Sequence, residues 1–557
     1  MRALWTREGA ALSGTPWERY PRPQLRRERW LCLNGDWELL LGENWQTVRV
    51  PFCAESLLSG LERRPEIGEE LRYRRIFRVP PDWSGQRILL HFGAVMRHVV
   101  VVLNGQEVCR HDNGYLPFTA EITEQLRQGE NCLELRVVND LDRRYPWGKQ
   151  KVRRGGMWYT PCSGIWQSVW LEPVPRTYVR SLRITSGADW AEIEAEGVRE
   201  GQILLDGREF PLREGRARIL IPEAHLWSPE DPFLYSFTLL AGEDRIDSYF
   251  ALRTLSTELV DGIPRLCLNG RPYFFNGLLD QGYWSDGLYT PACPDCYEQD
   301  ILRMKALGFN TLRKHIKIEP EQFYYDCDRL GMVVFQDMVN NGEYRFLRDT
   351  ILPTIRLLKR RDERMNPDPE TRALFLRSME ETAKLLGNHP CICLWTIFNE
   401  GWGQFCADEA YRKLKTLDPM RWIDSTSGWF HQKESDVDSL HLYFTKLHLG
   451  KEKRPQLLSE FGGYVWKDPE HSFNPDQTYG YRKYASREDF VSALRELYSA
   501  LIPLAEKGLC GAIYTQVSDV EDKTNGLLSF DRRIEKLCPE QLRDLAQKLA
   551  QAVSGKK

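Results

Sequence analysis

The chain has 557 residues, more than one hydrophobic core supports, so two to four domains are expected. A formal net charge of -3 with 28% charged residues gives no sign of a nucleic acid or another polyanion as partner. No window approaches about 18 consecutive apolar residues, which excludes an expected membrane helix, and the charges at Arg2, Arg7 and Glu8 argue against a secretory leader. Fourteen cysteines, several inside apolar runs (Cys391, Cys393, Cys510), and the lack of any Asn-x-Ser/Thr site fit reduced thiols and a cytoplasmic location. Cys293-Pro-Asp-Cys296 has no companion pair at zinc-site spacing, so neither a metal nor a cofactor is read from it. Eighteen tryptophans suit all-β cores, flat walls for stacking sugars, or both.

Residues 1–28 are basic, Pro-containing and without period, and read as an extended arm lying on a later domain. An arm of this kind can cross to a neighbouring copy, which leaves a homo-oligomer open. Short alternating segments follow to about residue 175, such as Trp37–Leu41 and Leu133–Val137. Turns at Asn34-Gly35 and Asn104-Gly105 punctuate them, which predicts a jelly-roll β-sandwich over 1–175. From 176 to 256 another set of strands, spaced every 8–12 residues, predicts an immunoglobulin-like sandwich. Between two of its strands, Leu226-Trp-Ser-Pro-Glu-Asp-Pro232 reads as a stiff crossover anchored by Trp227.

From 257 to 557 strand-like and helix-like segments alternate, the pattern of parallel βαβ units. Helices are expected from Asp295 as N-cap to Gly308, from Pro320 to Gly331, and over about 369–386, 407–417, 486–507 and 539–553. Eight apolar segments lie between them: 273–276, 310–313, 332–335, 392–398, 422–424, 439–443, 456–459 and 512–514. Eight units make a (β/α)8 barrel, and such barrels place their chemistry at the C-terminal strand ends. The residues there are Asp280, Arg313 with His315, Asp337, Asn399 with Glu400, Ser425, Thr426, His441 with Tyr443, Glu460, and Gln516 with Asp519. Trp402 follows Glu400 closely enough to wall a site. Two glutamates at the fourth and seventh ends are the equipment of glycoside hydrolysis, one as proton donor and one as nucleophile.

These residues resemble glycoside hydrolase family 2, the β-galactosidases, β-glucuronidases and β-mannosidases, over nearly the whole chain. Leu33-Asn-Gly-x-Trp37 resembles the start of the family's sugar-binding jelly roll, and Leu226–Pro232 its immunoglobulin-like domain. Asn388-His-Pro390 through Trp395 to Asn399-Glu400 resembles the acid/base signature, and Ser459-Glu-Phe-Gly462 the nucleophile strand. Asn310–Arg313 and Asp328–Gly331 resemble a further signature. The resemblance implies a retaining exo-β-glycosidase acting on terminal β-linked sugars, with Glu400 as acid/base and Glu460 as nucleophile. It also implies Arg313 and Tyr443 as partners keeping Glu460 ionised, Asn399 on the sugar 2-hydroxyl and His441 lining the subsite.

The chain departs from the family at several places, among them the end of the eighth segment, where Tyr514-Thr-Gln-Val-Ser-Asp519 stands in place of the Trp-Asp-Trp-type end of the larger β-galactosidases. One residue, not two, separates Arg313 from His315, and no Asn-x-Lys, the carboxylate-reading motif of β-glucuronidases, occurs anywhere. A galactoside is therefore the first expectation for the glycone, on frequency alone. Glucuronide, galacturonide, mannoside and arabinopyranoside stay open, and Arg313, Lys314 and Lys317 are the cations available to a uronate. A non-catalytic carbohydrate-binding protein is the alternative of another class.

Overall fold

The computed structural model describes residues 2–352, 361–450 and 453–554. Three bodies follow one another along the chain. In the first, a six-stranded antiparallel sheet faces a four-stranded one (31–32, 169–174, 87–92, 118–121), and alternate residues such as Trp37, Leu39, Tyr73, Val101 and Leu135 fill the space between. This is the jelly-roll sandwich that the period-2 pattern predicts. In the second, sheets of three (181–186, 190–196, 216–220) and four strands (208–212, 201–205, 235–241, 244–250) close over Ile193, Ile203, Phe237 and Ile246.

The third body is the barrel. Its strands are β1 (Phe275–Asp280), β2 (Thr311–Lys314), β3 (Val333–Asp337), β4 (Ile392–Asn399), β5 (Trp422–Ser427), β6 (Asp438–Leu442), β7 (Gln456–Phe461) and β8 (Leu509–Tyr514). They pair in parallel in the order β5-β4-β3-β2-β1-β8-β7-β6, and the Gly428–Leu440 bridge joins the two ends. All eight residues of β4 are buried, as a strand with barrel core on one face and helices on the other requires. Around the strands lie α1 (Asp295–Ala306), α2 (Glu321–Leu330), α3 (Pro369–Leu386), α4 (Ala407–Leu417), α5 (Arg487–Ser499), α6 (Ile502–Glu506) and α7 (Arg543–Val553).

Several local expectations are corrected. Residues 255–272 form a small antiparallel sheet ahead of the barrel, and β1 begins at Phe275 because the apolar run continues through Gly277-Leu278-Leu279. The helix expected over 486–507 breaks into α5 and α6, where Pro503 denies the ladder a donor. Asp295 does not cap α1; Pro294 stands at the cap, and Asp295 pairs with Arg19 of the arm at 2.8 Å. Gly331 does end α2, in the left-handed region at φ 73°.

The signature segments interlock at the base of β4. Asp328 accepts from His389 Nδ1 (2.7 Å), the Cys391 amide (2.8 Å) and the Tyr249 hydroxyl (2.7 Å), while Asn388 Oδ1 accepts from the Ile184 amide (2.7 Å). Trp227 is fully buried and donates to the Asp328 carbonyl at 2.7 Å, which seats the middle sandwich on the barrel. The arm lies on its own barrel and both sandwiches: Trp17 donates to Pro291 O (2.8 Å), and Arg27 bridges Glu172 and Asp244.

Candidate active site

The strand ends converge on the two glutamates. Glu460 is 5% exposed near the end of β7. One of its oxygens takes Arg313 Nη1 at 3.2 Å, and the other takes the hydroxyl of Tyr443, which also meets Thr515 Oγ1 at 2.9 Å and stacks on Tyr481. Burial alone would raise its pKa. The neighbouring His441 and His315 rings together with the Arg313 and Lys149 cations outweigh that and hold the carboxyl far below the usual range.

Glu400 follows β4 in the left-handed region, φ 54°, a conformation that costs a non-glycine residue energy and is kept only where its surroundings over-determine it. Its amide donates to Ser427 O at 2.8 Å, and its Oε1 lies 2.8 Å from His441 Nδ1. On the other side of that ring, Nε2 is 3.4 Å from Arg313 Nη1, which can only donate. A proton on Nδ1 fits the carboxylate it faces, so His441 donates to Glu400, while Ser427 Oγ lies 3.0 Å from Nε2. Gly428 makes room for the ring: a Cβ there would stand 2.7 Å from His441 Nδ1.

Arg313 is the hub. It is 1% exposed and donates to Asp337 Oδ1 (2.9 Å), Ser459 O (3.0 Å), Glu460 Oε1 and Asn399 Oδ1 (2.9 Å). Asp337 also takes His315 Nδ1 at 2.7 Å and leaves that ring's buried Nε2 without a partner. Burial and the nearby Lys149 push the His315 pKa well below its ordinary value, so the ring is neutral near pH 7.

Three of the anticipated residues make no hydrogen bond to either glutamate. Asp280 is level with Lys314 across the β1–β2 ladder and binds its Nζ at 2.6 Å. Neighbouring residues on a strand face opposite ways, so Arg313 enters the barrel while Lys314 joins the helix layer and takes Asp280 with it. Gln516 is fully buried between Gln281 Nε2 (3.0 Å) and Ser518 O (2.8 Å). Trp402 packs on Trp147, Trp158 and Tyr344 and donates to Gly342 O at 3.3 Å. Nor are Lys314 and Lys317 free for a uronate, because Glu319 takes both at 2.8 Å.

Two cations that the strand-end pattern did not reach do sense the pair. Lys149 arrives on a hairpin of the first domain and Lys523 on the loop after β8. They are 9% and 4% exposed, and both interact electrostatically with Glu400 and Glu460. Asn525, two residues on, is fully buried with neither amide atom partnered.

One ligand-type atom each from Glu400, His441 and Glu460 lie within 4.8 Å of one another, a spacing a cation can use. Both nitrogens of His441 are already engaged, however, and Arg313, Lys149 and Lys523 surround the trio, so the charge there favours an anion.

Comparison with known proteins bears on the whole arrangement. Residues 62–198 match the glycosyl hydrolase 2 galactose-binding domain-like profile, and residues 263–467 match the glycosyl hydrolases family 2 TIM barrel domain. A β-glucuronidase of Paenibacillus borealis is 25% identical over 67% of this chain and 66% of its own length. A β-galactosidase of Thermoanaerobacter pseudethanolicus is 24% identical over 64% of this chain and 48% of its own. The chain thus spans from about half to about two thirds of the length of these relatives. Among solved structures, a β-glucuronidase of an uncultured Clostridium sp. superposes with a TM-score of 0.74 at 19% identity, covering 94% of this chain and 99% of the other. A β-galacturonidase from Eisenbergiella tayi bound to galacturonate gives 0.70 at 21% identity, covering 95% and 99%. These superpositions speak to fold alone. With both profiles matched in order over more than half its length, the chain belongs to glycoside hydrolase family 2.

Proposed function

We propose that this protein is a retaining exo-β-glycosidase. The observation that carries the reading is the spacing of the pair: an oxygen of Glu400 and one of Glu460 lie within 4.8 Å. That supports the roughly 5–5.5 Å of a double displacement over the about 6.5–9.5 Å between the carboxyls of an inverting enzyme.

Glu460, ionised by its surroundings, attacks the anomeric carbon. Glu400 protonates the departing glycosidic oxygen. In the second half Glu400 takes a proton from water, which displaces Glu460 from the glycosyl-enzyme. Arg313 and Tyr443 fix the attacking carboxylate, and His441 orients Glu400. Asn399, held by Arg313 through its carbonyl oxygen, keeps its amide for the sugar 2-hydroxyl.

A 2-deoxy-2-fluoro aryl β-glycoside should add one glycosyl mass to the peptide that contains Glu460. A label on another residue, or no label alongside normal turnover, defeats the reading. Sugar binding with no turnover on any aryl β-glycoside would instead favour a carbohydrate-binding protein.

A further inference from the structure

Buried lysines are kept where something neutralises them, because an ammonium loses several kcal/mol of hydration on burial. Lys149 and Lys523 receive no hydrogen bond acceptor from the protein among the described residues. They are also near enough to repel one another. Two polar groups in the same region are in the same condition: the Asn525 amide and His315 Nε2, both buried and unpartnered. Asn525 stands against Gly463, which packs on Tyr481 and so beside Tyr443 and the nucleophile.

The loops that carry the lysines are tied together. Glu521 accepts from the Thr160 amide at 3.0 Å and from Arg154 at 3.2 Å, which clasps the turn 520–523 to the hairpin holding Lys149. Lys149 O pairs with the Tyr159 amide at 2.9 Å, and the Trp147 amide with Asn340 O at 3.1 Å, which fixes the hairpin on the barrel. The cations are therefore placed by design of the fold, not by loose side chains.

We propose that Lys149 and Lys523 form the site for a carboxylate on the glycone, so that the substrate is a β-hexuronide. This rests on Glu400 and Glu460 being the hydrolytic pair. The hexuronate carboxylate replaces the absent acceptor between the ammonium groups, and Asn525 adds a neutral donor. Burial and the Lys149 charge, against the pull of Glu460 and Glu400, bring Lys523 down to about 7, the condition of a site short of one negative charge. A hydroxymethyl group at the same ring position offers neither lysine a counter-charge.

Four p-nitrophenyl substrates test this in matched pairs: β-glucuronide against β-glucoside, and β-galacturonide against β-galactoside. In at least one pair the uronide should lead in kcat/KM by about 100-fold or more. Lys149→Gln and Lys523→Gln should each lower that ratio at least about tenfold. Neutral substrates matching or beating both uronides, or a ratio unmoved in folded variants, overturns the inference and leaves the glycosidase intact. Should a lysine variant not fold, calorimetry on Glu400→Gln with free glucuronate and galacturonate decides: heat from a hexuronate but not from glucose or galactose supports the site, and no hexuronate binding rejects it. Failure of the hydrolytic reading looks different, with no 2-fluoro label on Glu460 and no turnover in any of the four.

Discussion

Two pairs of buried lysines flank the same barrel mouth, and they are treated in opposite ways. Lys314 and Lys317 share Glu319, each at 2.8 Å; Asp280 takes Lys314, and the Gly282 and Tyr289 carbonyls take Lys317 at 2.6 and 2.7 Å. Tyr297 completes the shell with its hydroxyl on Glu319 at 2.8 Å. Every acceptor the first pair needs is inside the protein. Among the described residues Lys149 and Lys523 have none, and sense Glu400 and Glu460 instead. The difference separates a lysine that builds a wall from one that waits for a ligand. Burial and charge alone would have ranked the four together.

The comparison can be broken or sharpened at several points. Glu460→Gln removes the charge that the second pair faces and should lower kcat on any aryl β-glycoside it hydrolyses by on the order of 10⁴-fold, read by steady-state kinetics. A variant within tenfold of the wild type would remove Glu460 from the chemistry. Glu319→Ala attacks the first pair: two ammoniums lose their common carboxylate, so the barrel's unfolding transition in urea should fall by about 3–5 kcal/mol. An unchanged midpoint would mean that the first pair is no better partnered than the second.

Lys523→Met should do the reverse. With its pKa near 7 when folded and about 10.4 when unfolded, this lysine binds fewer protons in the native state between those values. Stability in the wild type therefore rises with pH across that window, and the cost of burying the ammonium is full below about pH 7. Removing it should stabilise the ligand-free protein by about 1–3 kcal/mol at pH 6, with the gain fading toward pH 10. Destabilisation at pH 6 would show an internal partner. The smallest effect is on pH dependence. Lys523 is faced by Lys149, Glu400 and Glu460, and its loss of a proton above about pH 7 should pull the uronide-to-neutral ratio down by a few-fold between pH 6.5 and 8. A flat ratio would place the discrimination on Lys149 alone.

Much of this is legible in the sequence. The β4 and β7 ends were found by counting apolar segments, and Arg313, Asp337, Asn399, His441 and Tyr443 lie around the glutamates found there. What counting cannot supply is the direction of a side chain at a strand end. Asp280 and Arg313 look alike as polar residues closing β1 and β2, yet one faces the helices and the other the barrel axis. The directions of Gln516 and Trp402 are out of reach of counting too, since loops past a strand end have no fixed period. Lys149 and Lys523 were out of reach for another: they are 374 positions apart, and only the docking of two domains makes them neighbours. The local hint was Lys523-x-Asn525 just after β8, the reverse of the Asn-x-Lys order that is absent here.

The Glu521 clasp has a consequence for how such an enzyme diversifies. One of the two lysines is encoded in the first sandwich and the other in the barrel, and the clasp holds them in register. On the proposed hexuronide reading, sugar preference is a joint inheritance of two domains. A barrel transplanted onto a foreign sandwich keeps its glutamates and loses half of its selectivity, whereas changes confined to the 140–163 segment can retune the glycone and leave every barrel strand as it was.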